Sequence, residues 1–239
     1  MEDIRQKWET EQSALKQQLI LESQFEDIRY IGGVDISFVK DSNTDACVCL
    51  MVLDYNDLDN VVYEKCEMIQ LTQPYIPGFL AFRECDHIIQ LLDELKESQP
   101  EFLPQLIMVD GNGILHPRGF GLASHLGVLS GIPCMGVAKN FLWIEDLEGY
   151  DRHKIKELSK EKLTQVGAHF PLVGRSGTVH GACLRATKDS VNPVFVSPGH
   201  KVSLEDALAI CLHCSKYRVP EPVRKADKAS REALRQLAS

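Results

Sequence analysis

Between residues 29 and 71 the chain passes through three strand-like stretches in close succession: RYIGGVDISFVK (29–40), ACVCLMVLDY (46–55) and VVYEKCEMIQL (61–71), separated only by DSNTD and NDLDN. Polar turns this short join consecutive strands only in antiparallel fashion, because a parallel crossover needs a dozen or more residues. The segment therefore predicts a three-strand meander, and the remainder of the chain has to extend or cover that sheet.

After residue 71 the rhythm changes. LAFRECDHIIQLLDELKES (80–98) carries Phe82, Ile88, Ile89, Leu92 and Leu95 at helical spacing and stops at Pro100. The pattern then alternates: strand 106–110, helix 119–130, strand 134–138, helix 151–166, and a strand pair at 177–186 and 193–197. A final amphipathic helix begins near Ser203, an N-cap with Glu205 and Asp206 in its first turn. Residues 1–24 predict one more helix. A meander leading into strand–helix alternation gives an α/β fold, a mixed sheet with helices on both faces, and the order matches the ribonuclease H-like architecture. In that architecture the first strand lies beside the fourth. A single domain over 1–239 is expected, with 227–239 as a basic C-terminal tail, and a monomer is the default.

Composition excludes several functions. With 44% hydrophobic and 25% charged residues, and no run near the roughly 18 apolar residues of a membrane span, the chain predicts a water-soluble intracellular protein without a membrane partner. A net charge of -8 argues against coating nucleic acid by bulk electrostatics, though not against a local basic groove. One such stretch is YRVPEPVRKADKASREALRQLAS, with Arg218, Arg224, Lys225, Lys228, Arg231 and Arg235. It reads equally as a solvated helix face or as a phosphate contact. The eight cysteines mostly sit in apolar runs and are expected to be reduced, buried thiols. CLHC, with Cys211, His213 and Cys214, resembles half a zinc site that lacks its other half.

Three carboxylates stand out. Asp35 lies inside the apolar GGVDISF, where an ionised group is costly unless it meets a cation or faces water. Glu84 occupies the first turns of the helix after the meander. Asp110 ends the apolar strand LIMVD and opens a loop containing Gly111, Gly113, Gly119 and Gly121. In a ribonuclease H-like sheet the three converge, and converging carboxylates repel one another unless divalent cations neutralise them. Oxygen ligands suit magnesium or manganese, ions that serve phosphodiester cleavage.

GGVDISF, QPYIPGFLAFRE, VDGNGILHPRGFGLASHLG, GVAKN and SPGHKVS, in that order, resemble the endonuclease V family, inosine-directed nucleases of the ribonuclease H-like superfamily. The resemblance runs from about residue 20 to 226. It implies Asp35 and Asp110 as magnesium ligands with Glu84 as the third catalytic acid and metal group, Lys139 at the scissile phosphate and His200 near the metal. It also implies Tyr75 as a wedge that enters the stack, flanked by Pro74 and Ile76 in a loop stiffened by Pro74 and Pro77. Gly78, Gly111, Gly113 and Gly121 are then expected to let the main chain approach a flipped base, with His116 lining the same pocket. His125, His180 and His213 read as structural.

The resemblance further implies cleavage of the second phosphodiester bond 3′ to inosine, leaving 3′-hydroxyl and 5′-phosphate ends. The cysteines, GVAKN, PEPVRKAD and the N-terminal helix look more like the animal members. Inosine in single-stranded RNA is thus expected as main substrate and deoxyinosine in DNA as a weaker one, with a cytoplasmic and nuclear or nucleolar location. Two rival readings stand beside this one: a module that binds inosine-containing RNA without cutting it, and a ribonuclease H-like nuclease of other specificity.

Overall fold

A computed structural model describes residues 2–237. The meander forms as expected from β1 (Tyr30–Phe38), β2 (Asp45–Asp54) and β3 (Val61–Gln70), antiparallel in register. Next come α2 (Ala81–Ser98; α1 is Glu2–Lys16), β4 (Leu106–Asp110), α3 (Leu122–Ser130), β5 (Cys134–Ala138) and α4 (Arg152–Lys162). The chain continues through β6 (His169–Val173), β7 (Val179–Leu184), β8 (Val194–His200), α5 (Leu204–His213) and α6 (Glu221–Leu237). One eight-stranded sheet results, in the order β3-β2-β1-β4-β5-β8-β7-β6. Strands β1, β4 and β5 run parallel, with antiparallel strands on both sides, so β1 lies beside β4 as the ribonuclease H-like order requires.

Both faces of this sheet are covered, which explains why β2 reads as a continuous apolar run rather than an alternation. Val48, Leu50 and Val52 pack with Ile88, Leu91 and Leu95 of α2 and with α3 on one face. Leu53, Leu106 and Met108 pack with Leu208 and Ile210 of α5 and Val223 of α6 on the other. A third cluster, Leu115, Leu147, Ile155, Leu163 and Phe195, lies beneath α4. The two glycines of GGVDISF serve packing: a Cβ on Gly33 would lie 2.1 Å from the Pro222 carbonyl, so α6 rests directly on the main chain of β1.

Several expectations need correction. α1 ends at Lys16 rather than near 24, because Ile20 and Gln24 turn to pair their backbones with Lys201 at 2.7 and 3.1 Å. Strand β6 adds to the expected elements. HFPLV alternates exposed and buried residues around Pro171, an edge-strand pattern too short to register as periodic. The single final helix is two, and the basic tail expected from 227 is the body of α6. It starts afresh at Glu221 with Pro222 in its first turn, where a missing N–H costs nothing. Met1, Ala238 and Ser239 lie outside the described residues.

The cysteines also depart from an all-thiol reading. Cys49 and Cys66 face one another in register across β2 and β3 and are joined as a disulfide, a pairing only the strand register could reveal. The other six are free and buried. Cys211 and Cys214 lie in the α5 core while His213 bonds the Tyr55 carbonyl at 2.8 Å, so CLHC assembles no metal site. Among the described residues no helix is long and apolar enough to cross a membrane.

Candidate active site

Val34 and Val109 are the last paired residues of β1 and β4, so Asp35 and Asp110 stand side by side where the two strands part. Lys139 comes directly after β5, one strand further along, and its Nζ donates to Asp110 Oδ2 at 2.6 Å. Glu84 comes in from the first turn of α2 on the opposite face. Burial, reinforced by Asp35 and Asp110 and opposed by Arg83, pushes its carboxyl up to about 8. Asp35 is also raised. Burial is the main cause; the Ser230 hydroxyl works against it, and Asp110 and Asp227 work with it.

A fourth carboxylate, missed in the sequence, completes the group. Asp227 of α6 lies with its Oδ1 3.9 Å from Lys139 Nζ and 2.8 Å from Arg231, and shares a groove with Asp35, Asp110 and Lys139. α6 is latched in that position by Ser230, one turn on, which donates to Asp35 Oδ2 at 2.9 Å and lies 2.7 Å from Ser37 Oγ. The signal was present in PEPVRKAD, but a single aspartate in a basic run reads as part of the run. Burial lowers the Lys139 ammonium, yet Asp110, Asp227 and Asp35 outweigh it and hold it above the usual lysine range.

His200 does not join them. β8 runs antiparallel to β5, so its last residue pairs with Cys134, the first of β5, while Lys139 lies beyond the other end. The separation is roughly 16 Å at about 3.3 Å per residue. His200 is buried against Gly127, with Nδ1 3.4 Å from the Ile20 amide, and burial, with Lys201 second, lowers its pKa. The expectation of a histidine beside the acids is corrected: Asp227 stands there.

Two loops flank the acids. In 73–79, Tyr75 is 64% exposed, Pro74 and Ile76 are half-buried beside it, and the Arg83 guanidinium lies 6.0 Å from the tyrosine ring. The ring projects outward rather than into the core. Gly78 takes φ +83, and its carbonyl accepts from Arg118 at 2.5 Å, which ties this loop to the glycine loop after β4. His116 is buried at that junction, and burial, with Arg118 second, brings it down to about 4, so it is neutral at physiological pH.

Gly113 and Gly121 have a different purpose from the one expected. Their Cβ atoms would lie 1.9 Å from the Pro198 carbonyl and 2.4 Å from the Asn112 carbonyl, so the fold itself requires them. Gly111, beside Asp110, is the glycine of this loop with ordinary room around it, its closest neighbour being Leu122 at 3.8 Å. Close by, Asn112 Oδ1 and Ser124 Oγ are buried without a partner. Unpartnered polar atoms in a buried position call for a further partner, whether water or ligand.

The donor set of Asp35, Glu84, Asp110 and Asp227 is all oxygen, and within it Asp110 and Asp227 help to raise Asp35 while Asp35 and Asp110 help to raise Glu84. That combination fits a hard divalent cation.

Comparison with known proteins gives the chain its family. A family model described as Endonuclease V matches residues 13–228. Endonuclease V of Mus musculus is 46% identical over 237 residues, covering 95% of this chain and 69% of that protein, and the human protein is 45% identical, covering 95% and 82%. The solved catalytic domain of human Endonuclease V superposes with a TM-score of 0.94 at 43% identity, over 100% of this chain and 98% of that one. Endonuclease V of Ciona intestinalis, solved with a 24mer DNA containing an inosine followed by a ribo-adenosine, gives 0.91 at 34% identity over 99% and 100%. The chain belongs to the endonuclease V family of nucleases.

Proposed function

We propose that this protein is a magnesium-dependent endonuclease, with manganese able to substitute, that flips inosine out of a single strand and hydrolyses the second phosphodiester bond on its 3′ side. The products are 3′-hydroxyl and 5′-phosphate ends, and inosine in RNA is the preferred substrate over deoxyinosine in DNA. The observation that carries this is the meeting of Asp35, Asp110 and Asp227 around Lys139, with Glu84 coupled to Asp35 and Asp110 from α2. Acids crowded around one lysine, with Glu84 buried among them, are costly for a purely structural role and favour a functional one.

Asp35, Asp110, Glu84 and Asp227 would hold the cation, which when bound supplies Lewis-acid polarisation of the phosphate and activation of water. Lys139 keeps its proton and offers a compact positive charge to a phosphate gaining negative charge in the transition state. Ser230 and Ser37 orient Asp35. Tyr75, exposed on a proline-stiffened loop, fills the gap left by the displaced base. Gly111 allows main-chain approach to that base, and Asn112 and Ser124 offer the unpartnered atoms to read it. His116, neutral and inward, braces the two loops.

The Ciona complex, with an inosine followed by a ribo-adenosine, supports a strand bearing a ribose next to the inosine as the ligand class. The test is cleavage-site mapping on matched single strands carrying inosine, deoxyinosine or neither, in magnesium, with Asp35→Ala as control. Equal cutting of the deoxy strand would remove the RNA preference, and equal cutting of the inosine-free strand would remove the base specificity. Activity surviving in Asp35→Ala would remove the acid cluster from the mechanism.

A further inference from the structure

On the side of Lys139 away from the acids lies a second groove, about 630 Å³ in volume, between α4 and the start of β8. Lys139 lines both grooves and so stands between them. No carboxylate lines the second one, although the chain carries eight more acidic than basic residues. Its outer wall is an i, i+4, i+8 row on α4, Arg152, Lys156 and Lys160, all exposed or half-exposed and none in an ion pair with a described residue. Glu157 and Glu161 of the same helix lie outside it, in a neighbouring hollow that Lys156 and Lys160 also border.

Two further cations, Arg185 and Arg218, add charge from below. Both spend their hydrogen bonds on carbonyls rather than carboxylates: Arg185 on Leu163 and Thr164 at 3.0 Å, Arg218 on Pro193 at 2.9 Å and on Lys139. Their charge is thus left uncompensated. The floor is apolar, with half-buried Phe141 packed 5.7 Å from Phe195. Within the same wall, Ser159 Oγ is buried without a partner. Uncompensated cations above an aromatic floor, opening onto a phosphate-binding lysine, match a single nucleic-acid strand in charge and in stacking surface.

We propose that this groove holds the strand beyond the scissile phosphate, its 3′ flank. Arg152, Lys156 and Lys160 contact successive backbone phosphates, and an unstacked base lies on Phe141. The assignment rests on the proposed nuclease activity, since it takes its polarity from the cut. In that polarity the base loops with Tyr75 hold the 5′ side and Lys139 holds the bond broken. Substrates with a long 3′ flank then bind more tightly than those ending just after the cut.

The test uses the full chain with Lys156→Glu and Lys160→Glu combined, both on the outer face of α4, and Arg152→Ala as a milder second variant. Melting curves verify folding. On an inosine strand with a long 3′ flank the double variant should show KM raised roughly tenfold, kcat unchanged, and a shallower salt dependence, by about 0.7 in slope for each phosphate no longer held. On a strand shortened on its 3′ side the variant and the parent should match. An unchanged KM, a defect that persists on the 3′-shortened strand, or one that vanishes only on a 5′-shortened strand would each overturn the assignment. Anisotropy with the same strands in chelator reads the groove without cleavage. There, an equal loss of binding for both shortened strands likewise rejects it. A parent protein that cuts no inosine strand refutes the nuclease reading instead, and the two failures remain distinct.

Discussion

Two polar clusters at different places in the sheet treat the same functional group in opposite ways. Asp146, in the loop after β5, accepts from the Ser176 hydroxyl at 2.6 Å and the Ser176 amide at 3.0 Å, and its other partner is His180 Nε2 at 2.7 Å. The His180 contact and then the two Ser176 bonds hold it down at about 2. Glu84 has neither: it is buried beside two other acids and pushed up to about 8. The first cluster has everything it needs from the protein and serves as a clamp between loops. The second crowds acids together with little from the protein to offset them, and an unbalanced cluster of that kind is the better candidate for function.

The comparison can be broken experimentally, and the largest effect belongs to the acids. Asp35→Asn keeps the hydrogen bond from Ser230 but removes the charge; cleavage should be lost in a single-turnover assay while the melting temperature holds or rises. Lys139→Ala should lower kcat by about 10²–10³-fold, the usual cost of removing one group aimed at developing charge, with a smaller change in substrate binding. Either variant retaining near-parent cleavage would dissolve the distinction between the clusters.

Glu84 offers a sharper test, through pH. Its folded pKa lies above the unfolded value of 4.5, so whatever stability its neutral form allows is fully present below pH 4.5 and drains away as pH rises toward about 8. In metal-free protein, Glu84→Gln should abolish that decline and be the more stable protein at pH 8. Magnesium should stabilise the parent more than the variant, as thermal melts across pH would register. The smallest effect on activity belongs to the clamp. Asp146→Ala should lower the denaturant midpoint, because His180 and Ser176 lose a shared acceptor, yet leave kcat within about twofold.

The fold was legible wherever the pattern was local. Short turns gave the meander, helical spacing gave α2, and the cost of burying Asp35 marked the candidate site before any geometry was known. Legibility failed where a residue's role depends on register or direction. His200 stands after a promising turn, but antiparallel pairing carries it to the wrong end of β5. Asp227 sits among cations, and its side of α6 is fixed only by Ser230 and by contact with β1. Gly113 and Gly121 looked like room for a ligand, whereas neighbouring carbonyls already occupy that room. The Cys49–Cys66 bond comes from strand register and from nothing in the spacing of the cysteines.

The contact between Gly33 and the Pro222 carbonyl has a temporal side. Asp35 is made early and Asp227 late, and only the docking of α6 on a bare stretch of β1 brings them together. A chain still emerging from the ribosome, or one cut short before Glu221, has the base loops and Lys139 but an incomplete set of acids.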